Sequence, residues 1–243
     1  MIALYVLAAI FAAVAGVLIL HFLFLFVLSI FAKNRDYDKP NGFYRSVFLY
    51  HIKLAIFMSN VKIAVSGVDK LDGIKGKYLI VANHRSNYDP FIIVHALKDK
   101  ETAFISKPEN FKVPFFGKIA RRAGYTAIDR DNPRNAINTI NRTAELMKKG
   151  VISFGVCPEG TRSKSVNMLP FHDGVFKIAQ KAQSPVVVIG LRGTEKVHKR
   201  APFKRTVVYM DVLEVISAEK VRELSSHELA DIAREKLSIT EGR

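Results

Sequence analysis

From Ile2 to Ala32 the chain carries no Lys, Arg, Asp or Glu, and only Tyr5, His21 and Ser29 interrupt a run of Leu, Ile, Val, Phe, Ala and Gly. Such a stretch is too apolar to lie as the wetted face of a soluble domain, so it constrains the architecture more than any other feature. As one helix its roughly 31 residues extend about 46 Å, longer than a hydrocarbon core of about 30 Å, so a tilted span and a bent re-entrant insertion both fit. A cleaved signal peptide fits poorly: no basic region precedes the run, the run is too long, and no small-residue cleavage site closes it. Lys33, Arg35 and Lys39 follow directly and, by the positive-inside tendency, put the rest of the chain on the cytoplasmic face of the membrane.

That remainder is strongly basic. The formal net charge of +15 falls entirely outside the apolar run. Basic surfaces attract nucleic acid, anionic lipid headgroups, or phosphorylated small molecules and carrier proteins, and the hydrophobic start favours the lipid alternatives. The single cysteine, Cys157, excludes an intramolecular disulfide and a cysteine-rich zinc site.

Residues 41–60 have the spacing of a second, amphipathic helix, with Phe43, Val47, Tyr50, Leu54, Phe57 and Met58 apolar and Arg45, His51 and Lys53 elsewhere. A 3.6-residue period does not say whether that face meets lipid or a protein core. Residues 1–60 therefore read as an N-terminal membrane segment and 61–243 as one α/β domain. Within the domain, 78–82, 125–128, 151–156, 186–190 and 206–216 are predicted strands. Asp89-Pro90 and Asn132-Pro133 predict capped helix starts, the second helix closing at Gly150, and Ser225 with Glu228 predicts a capping box. The expected fold is α/β: a single domain with a mixed, mostly parallel sheet flanked by helices, preceded by a hydrophobic membrane helix or helical hairpin.

Three polar motifs follow predicted strands, where α/β sheets expose functional residues. In Asn83-His84-Arg85-Ser86-Asn87-Tyr88-Asp89, a helix would point His84 and Asp89 about 140° apart, so they meet only if the backbone turns between them. A carboxylate-oriented imidazole can take a proton from a hydroxyl. The bland alternative is that Asp89 caps a helix and His84 is a satisfied loop residue. In Cys157-Pro158-Glu159-Gly160-Thr161-Arg162-Ser163, Pro and Gly force a turn able to aim backbone N–H groups, the Thr161 hydroxyl and the Arg162 fork at one anion. A solvated polar turn is the alternative. Gly124 to Arg130 ends in a candidate phosphate ligand, Arg130, whose alternative is an ion pair with Asp129 or Asp131.

Taken together, these blocks resemble the glycerolipid acyltransferases typified by 1-acylglycerol-3-phosphate (lysophosphatidic acid) acyltransferase. Asn83-His84 followed by Asp89 is similar to the family's catalytic block. Gly124 to Arg130, Pro158 to Ser163 and Pro185-Val186-Val187-Val188 are similar to the next three in order, with Lys107, Glu109, Pro114 and Gly117 between the first two. The resemblance covers about residues 75–192. Two positions depart from it: Cys157 stands where the family usually has an aromatic, and Ala127 where Phe is common.

The resemblance implies that His84, oriented by Asp89, deprotonates the free hydroxyl of 1-acylglycerol 3-phosphate for direct attack on an acyl thioester, giving phosphatidic acid. Arg130 and Arg162, with Lys107, would bind the acceptor phosphate, and Glu159, Gly160 and Thr161 would shape that pocket. It implies no metal and no bound cofactor, with acyl-CoA or acyl carrier protein as donor, membrane lipids as surroundings and no nucleic acid as partner. Cys157 reads as a packing residue rather than an acyl-carrying nucleophile. Glycerol 3-phosphate or another lysophospholipid is the alternative acceptor. A non-catalytic membrane-anchored protein that binds lipid or nucleic acid is the alternative from a different class.

Overall fold

The computed structural model describes residues 1–163, 165 and 167–241. Helix α1 (Ile2–Phe31) contains the whole charge-free run, and α2 (Gly42–Met58) folds back beside it, capped by the Asn41 side chain, which accepts from the Tyr44 N–H at 3.2 Å. The domain then runs β1 (Val61–Ser66), β2 (Leu79–Ala82), α3 (Asp89–Ala96), β3 (Thr102–Ser106), α4 (Phe116–Arg122), β4 (Thr126–Ala127), α5 (Pro133–Lys148), β5 (Ser153–Val156), α6 (Lys177–Ala182), β6 (Val186–Arg192), α7 (Val197–Arg200), β7 (Thr206–Ile216), α8 (Ala218–Glu223) and α9 (Ser226–Ser238). Short 3-10 turns join several of these elements.

The strands form one sheet in the order β1-β7-β6-β2-β5-β3-β4. The run from β6 to β4 is parallel, β7 is antiparallel to β6, and β1 is parallel to β7, so the expected mixed, mostly parallel sheet is present. Parallel strands covered on both faces need apolar side chains on both, and Leu79-Ile80-Val81-Ala82 at the centre is completely buried. Beside it in β5 lies Phe154, also fully buried, whose truncation to Ala would cost about 3–5 kcal/mol. The cap expectations for α5 and α9 hold. Asn132 accepts from the Asn135 N–H at 3.1 Å, and Ser225 and Glu228 exchange hydrogen bonds reciprocally.

Three expectations change. The predicted strand at 125–128 shrinks to two residues at the sheet edge, while β1 and β3 were not anticipated. Helix α2 carries two apolar rows rather than one. Tyr44, Phe48, Ile52 and Ile56, at i, i+4 spacing, are buried against the domain, whereas Phe43, Tyr50, Phe57 and Met58 point outward. The helix is therefore packed on the core along a row that the outward-facing pattern concealed.

Helices α1 and α2 are tied antiparallel. The Tyr44 hydroxyl donates to the Leu28 carbonyl at 3.0 Å, and the imidazoles of His21 and His51 meet at 3.1 Å between their Nε2 atoms. His51 Nδ1 lies 2.7 Å from the Val47 carbonyl and must donate to it, so in the neutral pair His51 Nε2 accepts from His21. The hairpin is joined to the domain where Arg45 donates to the Thr102 carbonyl at 2.9 Å and Asp36 accepts from Thr126 Oγ1 at 2.8 Å. Apart from Leu25 and Ser29, α1 is largely uncovered, and by length and apolarity it is sufficient to cross a membrane.

Candidate active site

Because β2 is central, the chain leaving Ala82 emerges between β5 and β6, the two strands whose following loops can close over it. Asn83 fixes that exit. Its buried amide donates to the Leu191 carbonyl at 2.9 Å and accepts from the Leu191 N–H at 2.8 Å, clamping the loop to β6. Both backbone groups of the next residue are then taken by the segment after β5. The His84 N–H donates to Glu159 Oε1 at 2.7 Å, and the His84 carbonyl accepts from the Ser163 N–H at 2.8 Å. The other Glu159 oxygen accepts from the Leu169 N–H at 2.8 Å. Glu159 is only 3% exposed, and burial pushes its carboxyl pKa up, against the lowering effect of the two backbone donors. It therefore braces the histidine backbone.

His84 Nδ1 and Asp89 Oδ2 are 2.9 Å apart, and the same oxygen accepts the Arg85 and Ser86 N–H groups at 2.7 Å each. The turn at 85–88 supplies the reversal that a regular helix could not. Asp89 is not the cap that the Asp-Pro pair predicts: α3 begins at Asp89 itself, with Pro90 in its first turn, and the carboxylate points back over the loop. Three converging donors in a fully buried site outweigh the single N–H that a cap would satisfy. In the neutral ring a carboxylate partner requires the proton on Nδ1, which makes the Nε2 lone pair the basic site. Burial lowers the His84 pKa, but the Cys157 sulfur beside the ring and the Asp89 carboxylate more than offset this, so it stands above the ordinary imidazole value.

Arg130, three residues past β4, donates to the Gly160 carbonyl, and no ion pair with Asp129 or Asp131 forms among the described residues. Gly160 is required there: its φ is +76°, and a Cβ would meet Arg130 Nη1 at 2.5 Å. The Arg162, Thr161 and Lys107 side chains are exposed beyond the carboxyl ends of β5 and β3, and make no hydrogen bond or ion pair among the described residues. The structure thus brings His84, Asp89 and Glu159 into contact and Arg130 onto the same loop, with Arg162 two residues further on.

Sequence reasoning missed the Asn83 clamp, although an amide directly after a buried strand was its available signal. It also missed the links from Tyr88 to Ser59, 2.6 Å between hydroxyls, and from Arg85 to the Thr240 carbonyl at 2.7 Å, which no local pattern announces. A cavity of about 510 Å³ opens at the opposite, amino-terminal edge of the strands, lined by Lys70, Lys75, Lys77, Lys148 and Pro185 among others, with no histidine or cysteine. The acid–base groups lie at the carboxyl edge.

The family model described as Acyltransferase matches residues 62–192. A 1-acyl-sn-glycerol-3-phosphate acyltransferase of Saccharomyces cerevisiae is 30% identical over 192 residues, covering 77% of this chain and 62% of the yeast protein. One from Escherichia coli is 31% identical over 157 residues, covering 63% of this chain and 64% of its own, so the chain spans less than two thirds of either relative. The crystal structure of the 1-acyl-sn-glycerophosphate acyltransferase of Thermotoga maritima superimposes with a TM-score of 0.63 at 23% identity, over 80% of this chain and 77% of that one, and so shares the fold.

Proposed function

Because the chain belongs to the acyltransferase family, we propose that it transfers an acyl chain from a thioester to the free hydroxyl of 1-acylglycerol 3-phosphate, giving phosphatidic acid. The observation that carries this reading is the His84 imidazole held on Nδ1 by the buried Asp89 at 2.9 Å. Neutral His84 takes the acceptor hydroxyl proton on Nε2 as that oxygen attacks the thioester carbonyl. The tetrahedral intermediate collapses with loss of the thiolate, which takes the proton back from the imidazolium. Asp89 fixes the tautomer and stabilises the cation between those steps. Arg130, already steered by Gly160, and Arg162 hold the acceptor phosphate, with Lys107 at the rim.

Two donors suit a basic surface, acyl-CoA and acyl carrier protein, both anionic. Helix α1 is the membrane anchor, and Lys33, Arg35 and Lys39 at its end put the catalytic loops on the cytoplasmic face. Cys157 packs beside the base and carries no acyl group.

The test is the purified full chain with radiolabelled oleoyl-CoA or oleoyl carrier protein, offered lysophosphatidic acid, glycerol 3-phosphate and lysophosphatidylcholine side by side. Labelled phosphatidic acid is the expected product. Turnover only on another acceptor, or its retention in His84→Ala, would sink the reading.

A further inference from the structure

The segment between β6 and β7 supplies none of the residues assigned to the site described above. Within ten residues it holds Lys196, Lys199, Arg200, Lys204 and Arg205, with Phe203 among them at 91% exposure. Lys199, Arg200, Lys204 and Arg205 are exposed and make no ion pair among the described residues, and Lys196 only approaches Glu195 at 3.9 Å.

Its place in the fold gives this segment a direction. The Thr206 N–H donates to the Asn60 carbonyl at 3.0 Å, and Asn60 Nδ2 reaches the Pro202 carbonyl at 3.4 Å. The segment therefore lies against the end of α2, where Phe57 is 79% and Met58 63% exposed and the outward apolar row terminates. The contacts of Leu28 with Tyr44 and of His21 with His51 set an antiparallel register that carries α1 about 18 Å past that end. On its other side the His198 ring packs edge-on against Tyr88 at 5.3 Å between centroids, so the segment also touches the 83–89 loop.

We propose that residues 196–205 form a second membrane contact, Phe203 entering the boundary between headgroups and acyl chains while Lys199, Arg200, Lys204 and Arg205 meet the phosphates of anionic lipids. An exposed aromatic ring ringed by cations matches the chemistry of that boundary, apolar beneath and negative above. It is continuous with the uncovered apolar row of α2. The inference rests on the reading of α1 as the membrane anchor and is independent of acyl transfer. Its consequence for catalysis is that two contacts, not one flexible tether, hold the His84 loop against the surface where a lysophospholipid lies.

The chain contains no tryptophan, so one indole reports one place. Full-length Phe203→Trp protein would be reconstituted in nanodiscs of phosphatidylcholine and phosphatidylglycerol, with and without bromine on the acyl chains, beside Phe24→Trp on α1. Both variants should show blue-shifted emission and lose most of it to brominated lipid, and adding Lys199→Glu with Arg200→Glu should relieve the quenching only for Phe203→Trp. Quenching of Phe24→Trp alone would overturn the inference and leave the anchor standing, while quenching of neither would remove both. Phe203→Trp emission that ignores bromine but responds to acyl-CoA or to an acidic carrier protein would overturn the inference in favour of donor docking.

Discussion

The backbone N–H of His84 donates to Glu159 Oε1 at 2.7 Å across 75 residues of sequence. A side chain on one loop thus fixes the main chain of the residue whose imidazole is the proposed base on another. Rotamer choice at His84 is left to Asp89, and backbone placement to Glu159.

Glu159→Gln should therefore impair turnover without touching the ring. Both carboxylate oxygens accept backbone N–H groups, and an amide offers one acceptor while turning two donors toward the second N–H. A loss of about 1–3 kcal/mol in stability is expected from the unsatisfied group. Thermal unfolding checks this, together with a fall in kcat that Glu159→Ala does not worsen in proportion to its lost volume.

Asp89→Asn should lower kcat by about two to four orders of magnitude, since the amide no longer enforces the Nδ1–H tautomer. It should leave the acceptor KM within a few-fold. A mutant that kept near-normal turnover would show that the Asp89–His84 contact only shapes the loop.

The pH dependence has a definite sign. Burial lowers the His84 pKa, Cys157 and Asp89 raise it by more, and the net shift is upward from 6.5 to about 10. The imidazolium cannot accept a proton, so kcat/KM should rise with pH through an ionisation lying above 6.5 and no higher than about 10. Cys157→Ala removes one of the groups that raise the pKa and should move that limb to lower pH while turnover persists. Abolished turnover in that variant would instead make the sulfur a participant in the chemistry.

Gly160→Ala should raise the acceptor KM. The new Cβ would sit 2.5 Å from Arg130 Nη1 at a φ of +76°, displacing the guanidinium and straining the turn, at a cost of about 1–3 kcal/mol. Arg162→Ala should raise the same KM more than Lys204→Ala does, as steady-state kinetics with varied lysophosphatidic acid would register. Equal effects would separate Arg162 from the phosphate.

Local chemistry was legible where it is carried by neighbours in sequence. The charge-free run of α1, the Asn132 cap, the Ser225–Glu228 box and the positions of the 83–89 and 157–163 motifs after buried strands all follow from residue type and spacing. The strands β1 and β3 were not legible. β1 pairs at the sheet edge and mixes Lys62 and Ser66 with half-buried apolar residues, and β3 is a five-residue run with no alternation to mark it. The inner row of α2 was hidden by an outward row of equal apolarity, because periodicity counts hydrophobic side chains without saying what they meet.

The opening sequence feature, thirty-one residues without a formal charge, determined by itself that the chain carries a helix long and apolar enough to cross a membrane, and the three motifs determined where chemistry-bearing residues stand along it. Their meeting was decided by tertiary structure. Strand order places β5 beside β2, which brings Glu159 to His84, and the turn at 85–88 aims Asp89 at the imidazole instead of at its own helix. The reason is physical: a residue's type sets its preference for burial and for hydrogen bonding, whereas its partner is selected by which strands the helices can cover together, a property of the whole packed sheet.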